Sequence, residues 1–329
     1  MDRDDGDDLD FELLRASARE FLAGRGDKDS VGDLAAMDWL GLLVSEERGG
    51  VGWRPAEACL IAEELGRAHD RSPWFGCAMA AAAFADAPDA VSGDWLADTL
   101  SGTTITGFAP AGNVVRIVGG DKVRAVITAG SDGLHLVELG ESSARWLDCD
   151  ALDTARPGWC VDLNGATRVP IGSAIQAERL NAVGRLLVSA DALGAMSSAR
   201  ARLTSYLKGR TAFGAPIASF QAVQHRLVDL LVFEVKSRAI VAKAARTLGS
   251  ADLGDGARLR AAIVQSAAAH AFVAAKATAA IDECIQLSGG IGFTWEYPLH
   301  HEMRRAATDA VLLGTARSSR ALLAEASGW

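Results

Sequence analysis

Three helical patterns occupy residues 180–207, 220–248 and 257–287, and their length decides what the second half of the chain can be. Each repeats apolar residues at helical spacing, and only Gly184 and Gly194 interrupt the first. A helix that long carries an apolar stripe from end to end and has to lay it against other helices. A further pattern covers residues 302–326, with Gly314 inside it. Residues 174–329 are therefore expected to form a helical bundle.

The first hundred residues carry shorter patterns of the same kind. Residues 9–24 set Leu9, Leu13, Leu14, Phe21 and Leu22 at helical spacing. Residues 34–43 and 56–68 follow, with Pro55 at a helix start, and an Ala-rich stretch runs from Ser72-Pro73 to Ala87. Residues 1–100 read as one all-helical domain. At Ser101 the texture changes. VVRIV (114–118), VRAVIT (123–128) and LHLVEL (134–139) are short apolar runs separated by GGD and GSDG turns. That is the pattern of strands in a meander or small barrel, so residues 101–173 read as a middle β domain.

Charge and cysteine usage exclude several functions. A net charge of −9 argues against a nucleic-acid surface. Cys59, Cys77, Cys149, Cys160 and Cys284 are scattered without a CxxC pair, and no histidine pair has the spacing of HExxH. Neither a disulfide framework nor a metal site is expected. The N-terminus, MDRDDGDDLD, is the opposite of a basic secretory segment, and no apolar run approaches the roughly 18 residues a bilayer requires. The cytoplasm is the expected compartment.

Two stretches carry chemistry. The third long helical pattern runs into CIQLSGGIGFTWEYP, residues 284–298. Gly289, Gly290 and Gly292 end the helix there and let a ligand approach bare backbone, while Gln286 brings an amide that both donates and accepts. Arg210 lies just past the first long pattern, in RTAFG, where its guanidinium can grip a phosphate in two-pronged fashion. Phe213 adds an aromatic face, and Gln221 opens the next helix, whose N-terminus favours an anion. A helix C-cap and an exposed basic loop are the alternative readings.

Taken in order, WLGLLVSEERGGVGWRPAEACLIAEELGRA, RTAFGAPIASFQAVQHRLVDL and QLSGGIGFTWEYPLHHEMRR resemble the acyl-CoA dehydrogenase family. The resemblance covers most of the chain and implies a mainly α fold with a β insert. That fold is an N-terminal helical domain, a small middle β-barrel and a C-terminal four-helix bundle, assembled as dimers of dimers with FAD at a subunit interface. It implies that Arg210 and Phe213 meet the flavin pyrophosphate region, with Gln221 assisting, and that Gln286 with the Gly289 and Gly290 backbone holds the ADP part, with Thr315 also near the cofactor. It also implies a Glu that removes the α proton of an acyl thioester while the β hydride leaves to the flavin.

The chain departs from the family where that Glu should stand. In Val311-Leu312-Leu313-Gly314-Thr315, Leu313 occupies the family's Glu position before Gly-Thr. In family members that place the base on the helix before RxxFG, the matching position is Gly184 here, and Glu178 is the nearest carboxylate. Gly107-Phe108-Ala109-Pro110 replaces the segment that meets the flavin ring, Thr128 is the one candidate for the Thr that covers it, and Arg317 replaces a Gln. The resemblance therefore narrows to the short, base-less subunits of actinobacterial α2β2 enzymes, some of which act on steroid side-chain CoA thioesters. It implies a heterotetramer in which a longer catalytic paralogue carries the Glu and most of the substrate site. A homomeric flavin oxidase or monooxygenase using Glu178, Asp191 or Glu296, and an interaction protein that has lost the flavin, are the alternatives.

Overall fold

The computed structural model describes residues 4–26, 28–140, 144–147, 151–156 and 158–329, with side chains from Asp10 onward; Cys149 lies outside them. The first segment is helical: α1 (Asp4–Gly24), α2 (Gly32–Ala35), α3 (Pro55–Ala68), α4 (Trp74–Ala85) and α5 (Asp89–Leu100). Between α2 and α3 a small antiparallel pair, β1 (Leu43–Val44) and β2 (Gly52–Trp53), pins the SEERGG loop. Residues 34–43, expected to be one helix, divide into the end of α2, a 3-10 turn at Trp39–Gly41 and β1. Asp38 adopts a left-handed φ of 58° between them and stops the helix.

α4 is Ala-rich and buried on every side from Trp74 to Phe84, which identifies it as an interior helix. It lies on the sheet closely enough that a Cβ on Gly76 would stand 2.7 Å from Thr106 O. The strands are β3 (Ile105–Pro110), β4 (Val114–Val118), β5 (Val123–Gly130), β6 (Gly133–Glu138), β7 (Arg145–Leu147), β8 (Gly158–Asp162) and β9 (Val169–Gly172). Among the described residues they form a four-stranded sheet, β3-β5-β6-β9, and a three-stranded sheet, β4-β8-β7. Of these strands, β3 and β5 are the one parallel pair among the described residues. A separate core of Val115, Ile117, Val126, Val137 and Val161 fills the space between the sheets.

The last segment begins with α6 (Ala174–Gly209), whose start is fixed by a capping box between Ser173 and Gln176. A hairpin of β10 (Thr211–Ala212) and β11 (Ala215–Pro216) leads to α7 (Gln221–Gly249). The pattern at 257–287 proves to be two helices, α8 (Gly256–Ala274) and α9 (Ala277–Ser288), with the break at Lys276. The pattern at 302–326 also divides, into α10 (Leu299–Leu312) and α11 (Ala316–Ala326). Gly314, at φ 98°, turns the chain there, and Thr315 caps α11.

The seam between α3 and α6 explains two glycines. A Cβ on Gly194 would stand 1.9 Å from Glu63 O, and one on Gly66 would stand 2.1 Å from Asp191 O. The two backbones touch, and any larger residue would force them apart. No helix among the described residues is long and apolar enough to cross a membrane.

Candidate functional site

The residues singled out in the sequence fall into two groups at opposite ends of α6. Gly184 and Arg210 are separated by 26 positions, or about 39 Å of helix at 1.5 Å per residue.

At the first end, Gly184 faces Leu313. A Cβ added to Gly184 would lie 3.2 Å from Leu313 Cδ1 and 3.5 Å from Met79 Cε of α4. Leu313 is buried. One and two turns further along α6, Leu187, Val188 and Asp191 meet Trp74, Arg156 and Arg305 around a cavity of about 20 Å³. That is room for about one water. Thr315 is exposed, and its hydroxyl accepts the Ser318 backbone N–H at 3.2 Å, which occupies it as a helix cap. Thr315 thus sits at the Leu313 end, away from Arg210 and Gln286. Glu178 is exposed on the first turns of α6, where its charge supports Arg185. Arg317 is exposed. Thr128 is fully buried in β5 beside Ala109 of β3, and its hydroxyl has no hydrogen-bond partner among the described residues.

Beyond the small cavity lies a cluster of buried charge that the sequence did not reveal. Arg156, from the loop before β8, donates to Asp191 Oδ2 at 2.9 Å and to Asp309 of α10. Arg305 donates to Asp191 at 2.8 Å and to the carbonyl of Asp70. Asp153 stands 3.7 Å from Arg156. Among the described residues two guanidinium groups thus face three carboxylates. Burial works to raise Asp191, but Arg305 and Arg156 overcome it and hold it below the usual range. Asp309 receives less help. Burial first, then the charge of Asp191, push it up to about 7 against the pull of Arg156. Asp191 is therefore an ion-paired acid and a poor proton acceptor. Glu296 is exposed, and a backbone hydrogen bond and then Thr294 lower its pKa, so it is a weak base too. One signal for the cluster was in the sequence: Arg305 and Asp309 sit four apart on one face of α10.

At the other end the residues are open to solvent. Phe213 and Gly214 form the tip of the β10–β11 hairpin with φ of 53° and 79°, as a two-residue type I′ turn requires. Phe213 is 99% exposed, in a conformation that residues other than glycine, Asn and Asp rarely adopt. Its ring meets Phe220 edge-on at 6.4 Å. Arg210, Gln221 and Gln286 are exposed, and no carboxylate among the described residues pairs with Arg210. Gly289 adopts φ 67°, ψ −147°, a region essentially reserved for glycine. A Cβ on Gly289 or Gly290 would meet nothing within 4 Å. The elements are tied together at this end. Arg226 of α7 grips Glu283 of α9 at 2.8 Å, and Tyr206 of α6 meets Tyr297 at 5.7 Å between ring centres.

A helical N-terminal segment, a small sheet region and a helical bundle, with these two ends, define a member of a known family. Residues 10–103 match the acyl-CoA dehydrogenase N-terminal domain, and residues 172–328 match the acyl-CoA dehydrogenase C-terminal domain. The chain belongs to the acyl-CoA dehydrogenase family. It is 31% identical over 280 residues to the acyl-CoA dehydrogenase IpdE2 of Mycolicibacterium smegmatis, covering 84% of this chain and 80% of that one. In fold it is similar to the Tcur3481–Tcur3483 steroid acyl-CoA dehydrogenase G363A variant, with a TM-score of 0.81 and 22% identity over 98% of this chain and 99% of that one. It is also similar to the ChsE4–ChsE5 complex from Mycobacterium tuberculosis, with a TM-score of 0.80 and 21% identity over 97% of each chain.

Proposed function

We propose that the chain is a subunit of an FAD-dependent acyl-CoA dehydrogenase that lacks a base of its own and completes the flavin site of a Glu-bearing partner. The observation that carries this reading is the contact between Gly184 and Leu313. Both positions from which a family member could supply its base hold residues without a titratable group. The interior beside them is closed by Met79 and by the Arg156 charge cluster, where an acyl chain would need hundreds of cubic ångströms. The enzyme's substrate is a CoA thioester, including those of steroid side chains, and the partner binds most of it.

The other end of the molecule suits a dinucleotide. When bound, FAD supplies the acceptor for the hydride that leaves the substrate. Arg210 carries an unpaired guanidinium for a pyrophosphate, and Phe213 and Gln221 flank it. Gln286, with the bare backbone of Gly289 and Gly290, offers donors and acceptors and leaves the space a purine needs. Val228, Leu231, Val232 and Val235 form an exposed apolar stripe on α7, which an α2β2 assembly would cover. Thr315 is committed to its cap and contributes at most at the ring end.

Co-purification with a Glu-bearing paralogue tests the reading. The expected result is about one FAD for every two chains, and no bound flavin or dehydrogenase activity in this chain alone. A yellow, active homomer would overturn it.

A further inference from the structure

We propose that a cleft between α1, α3 and α7 binds an amphipathic molecule with an aliphatic body and a carboxylate head. The cleft has a volume of about 380 Å³, within the range of roughly 300–1,000 Å³ usual for small-molecule sites. It lies outside both ends of α6 described above and does not depend on the reading of either.

The floor is apolar. Leu60 and Cys59 of α3, Leu193 of α6 and Val241 of α7 line it, with Phe11 of α1 at one side. The Cys59 thiol is buried, and burial, with Glu63 and Glu57 adding to it, pushes its pKa well up, so it stays neutral and counts as part of the apolar wall. The walls are held in advance of any ligand. Arg15 and Arg19 of α1 donate to the buried Glu64 of α3 at 2.7 and 2.8 Å. Arg238 of α7 donates to Glu63 at 2.7 Å and to Glu234 at 3.0 Å. The α3–α6 backbone seam fixes the floor itself. A cleft with rigid walls loses little entropy on binding.

Charge decides which ligand it takes. Glu63, the one buried carboxylate in the lining, is already answered by Arg15 at 3.2 Å and by Arg238. Glu12 stands at the exposed rim, 3.7 Å from Arg15. Arg246 also lines the cleft, and no carboxylate among the described residues pairs with it. One guanidinium beside an apolar trough is left without a counter-charge, and a carboxylate on an aliphatic chain supplies both halves of the match.

Calorimetric titration of the full chain with decanoate tests this, with decyltrimethylammonium as the probe of opposite charge. Saturable binding of one decanoate per chain is expected, with none of the cation. Arg246→Ala, a change at an exposed position, should weaken binding about tenfold or more, as loss of a hydrogen bond to a charged group does. Ala242→Trp should abolish it by placing an indole in the cleft from the half-buried side of α7. Three results would overturn the proposal: no saturation below the micelle concentration, equal binding of the cation, or decanoate affinity untouched by Arg246→Ala. A complex with a protein partner that no longer takes decanoate would assign the cleft to that partner and overturn it as well.

Discussion

A Cβ on Gly184 would lie 3.2 Å from Leu313 Cδ1, so the two positions at which the family resemblance places a base converge on one point in the interior. Each limits what the other can become. In the wild-type chain, Gly184→Ala gains about 1 kcal/mol of helix propensity and loses it again by crowding the buried leucine. Leu313→Ala alone should cost about 2–5 kcal/mol. In that background Gly184→Ala should recover about 1 kcal/mol. Urea melts of the four chains measure the coupling, and strict additivity would contradict the contact.

The Arg156 cluster makes a larger prediction. Arg156→Met leaves Asp309 and Asp191 buried without their shared counter-charge, which should cost about 3–5 kcal/mol in the same urea melts. Asp309→Asn should act in the opposite direction above neutrality. The folded carboxyl holds its proton up to about 7 against an ordinary 3.8, so its contribution is greatest at low pH and is lost as pH rises through about 7. The Asn variant should therefore gain melting temperature at pH 8 and gain little at pH 5.

Two buried histidines should weaken the fold in acid. Burial, with Arg305 next, lowers His69 to about 3, and burial, with Arg185 next, lowers His270 to about 4. The unfolded chain takes up protons near 6.5 that the folded chain refuses, so stability falls as pH drops from about 6.5 towards 4. His270 Nδ1 lies 2.9 Å from Ser319 Oγ, a bond that Gln can replace. His270→Gln should flatten the fall in melting temperature between pH 7 and pH 4.5. An unchanged slope would remove His270 from the account.

The hairpin tip separates stability from assembly. Phe213→Asn places a residue that tolerates φ 53° at a type I′ turn, and should stabilise the isolated chain by about 1 kcal/mol. The same change removes a fully exposed ring from the surface proposed above to complete a partner's flavin site. Flavin per complex should fall while the melting temperature of the lone chain rises, and the two readouts moving together would argue against an interfacial role for Phe213.

Much of this was legible in residue order. The long α6 and α7, the Gly-Asp turns between strands and the RTAFG and QLSGGIG stretches all act locally, through periodicity and glycine. The misread helices failed for different reasons. The break at Lys276 has no glycine or proline to announce it, whereas Gly314 followed by the Thr315–Ser318 capping box did announce the end of α10. The β1–β2 pair and the parallel β3–β5 pairing depend on partners far along the chain. The charge cluster joins Asp70, Arg156, Asp191 and Arg305 from four separate places in the chain, and apart from the i, i+4 pair of Arg305 and Asp309 no spacing in the sequence encodes such a meeting.

That cluster also bears on how the chain can be divided. Arg156 arises among the strands yet is answered on α6 and α10, and Arg305 reaches back to the Asp70 carbonyl in the loop after α3. Deleting the middle segment would leave Asp309 without its guanidinium partner, and deleting the bundle would take both Asp191 and Asp309 from Arg156. The three stretches that differ so plainly in composition share one electrostatic keystone. None of the three is expected to fold stably when cut away from the others.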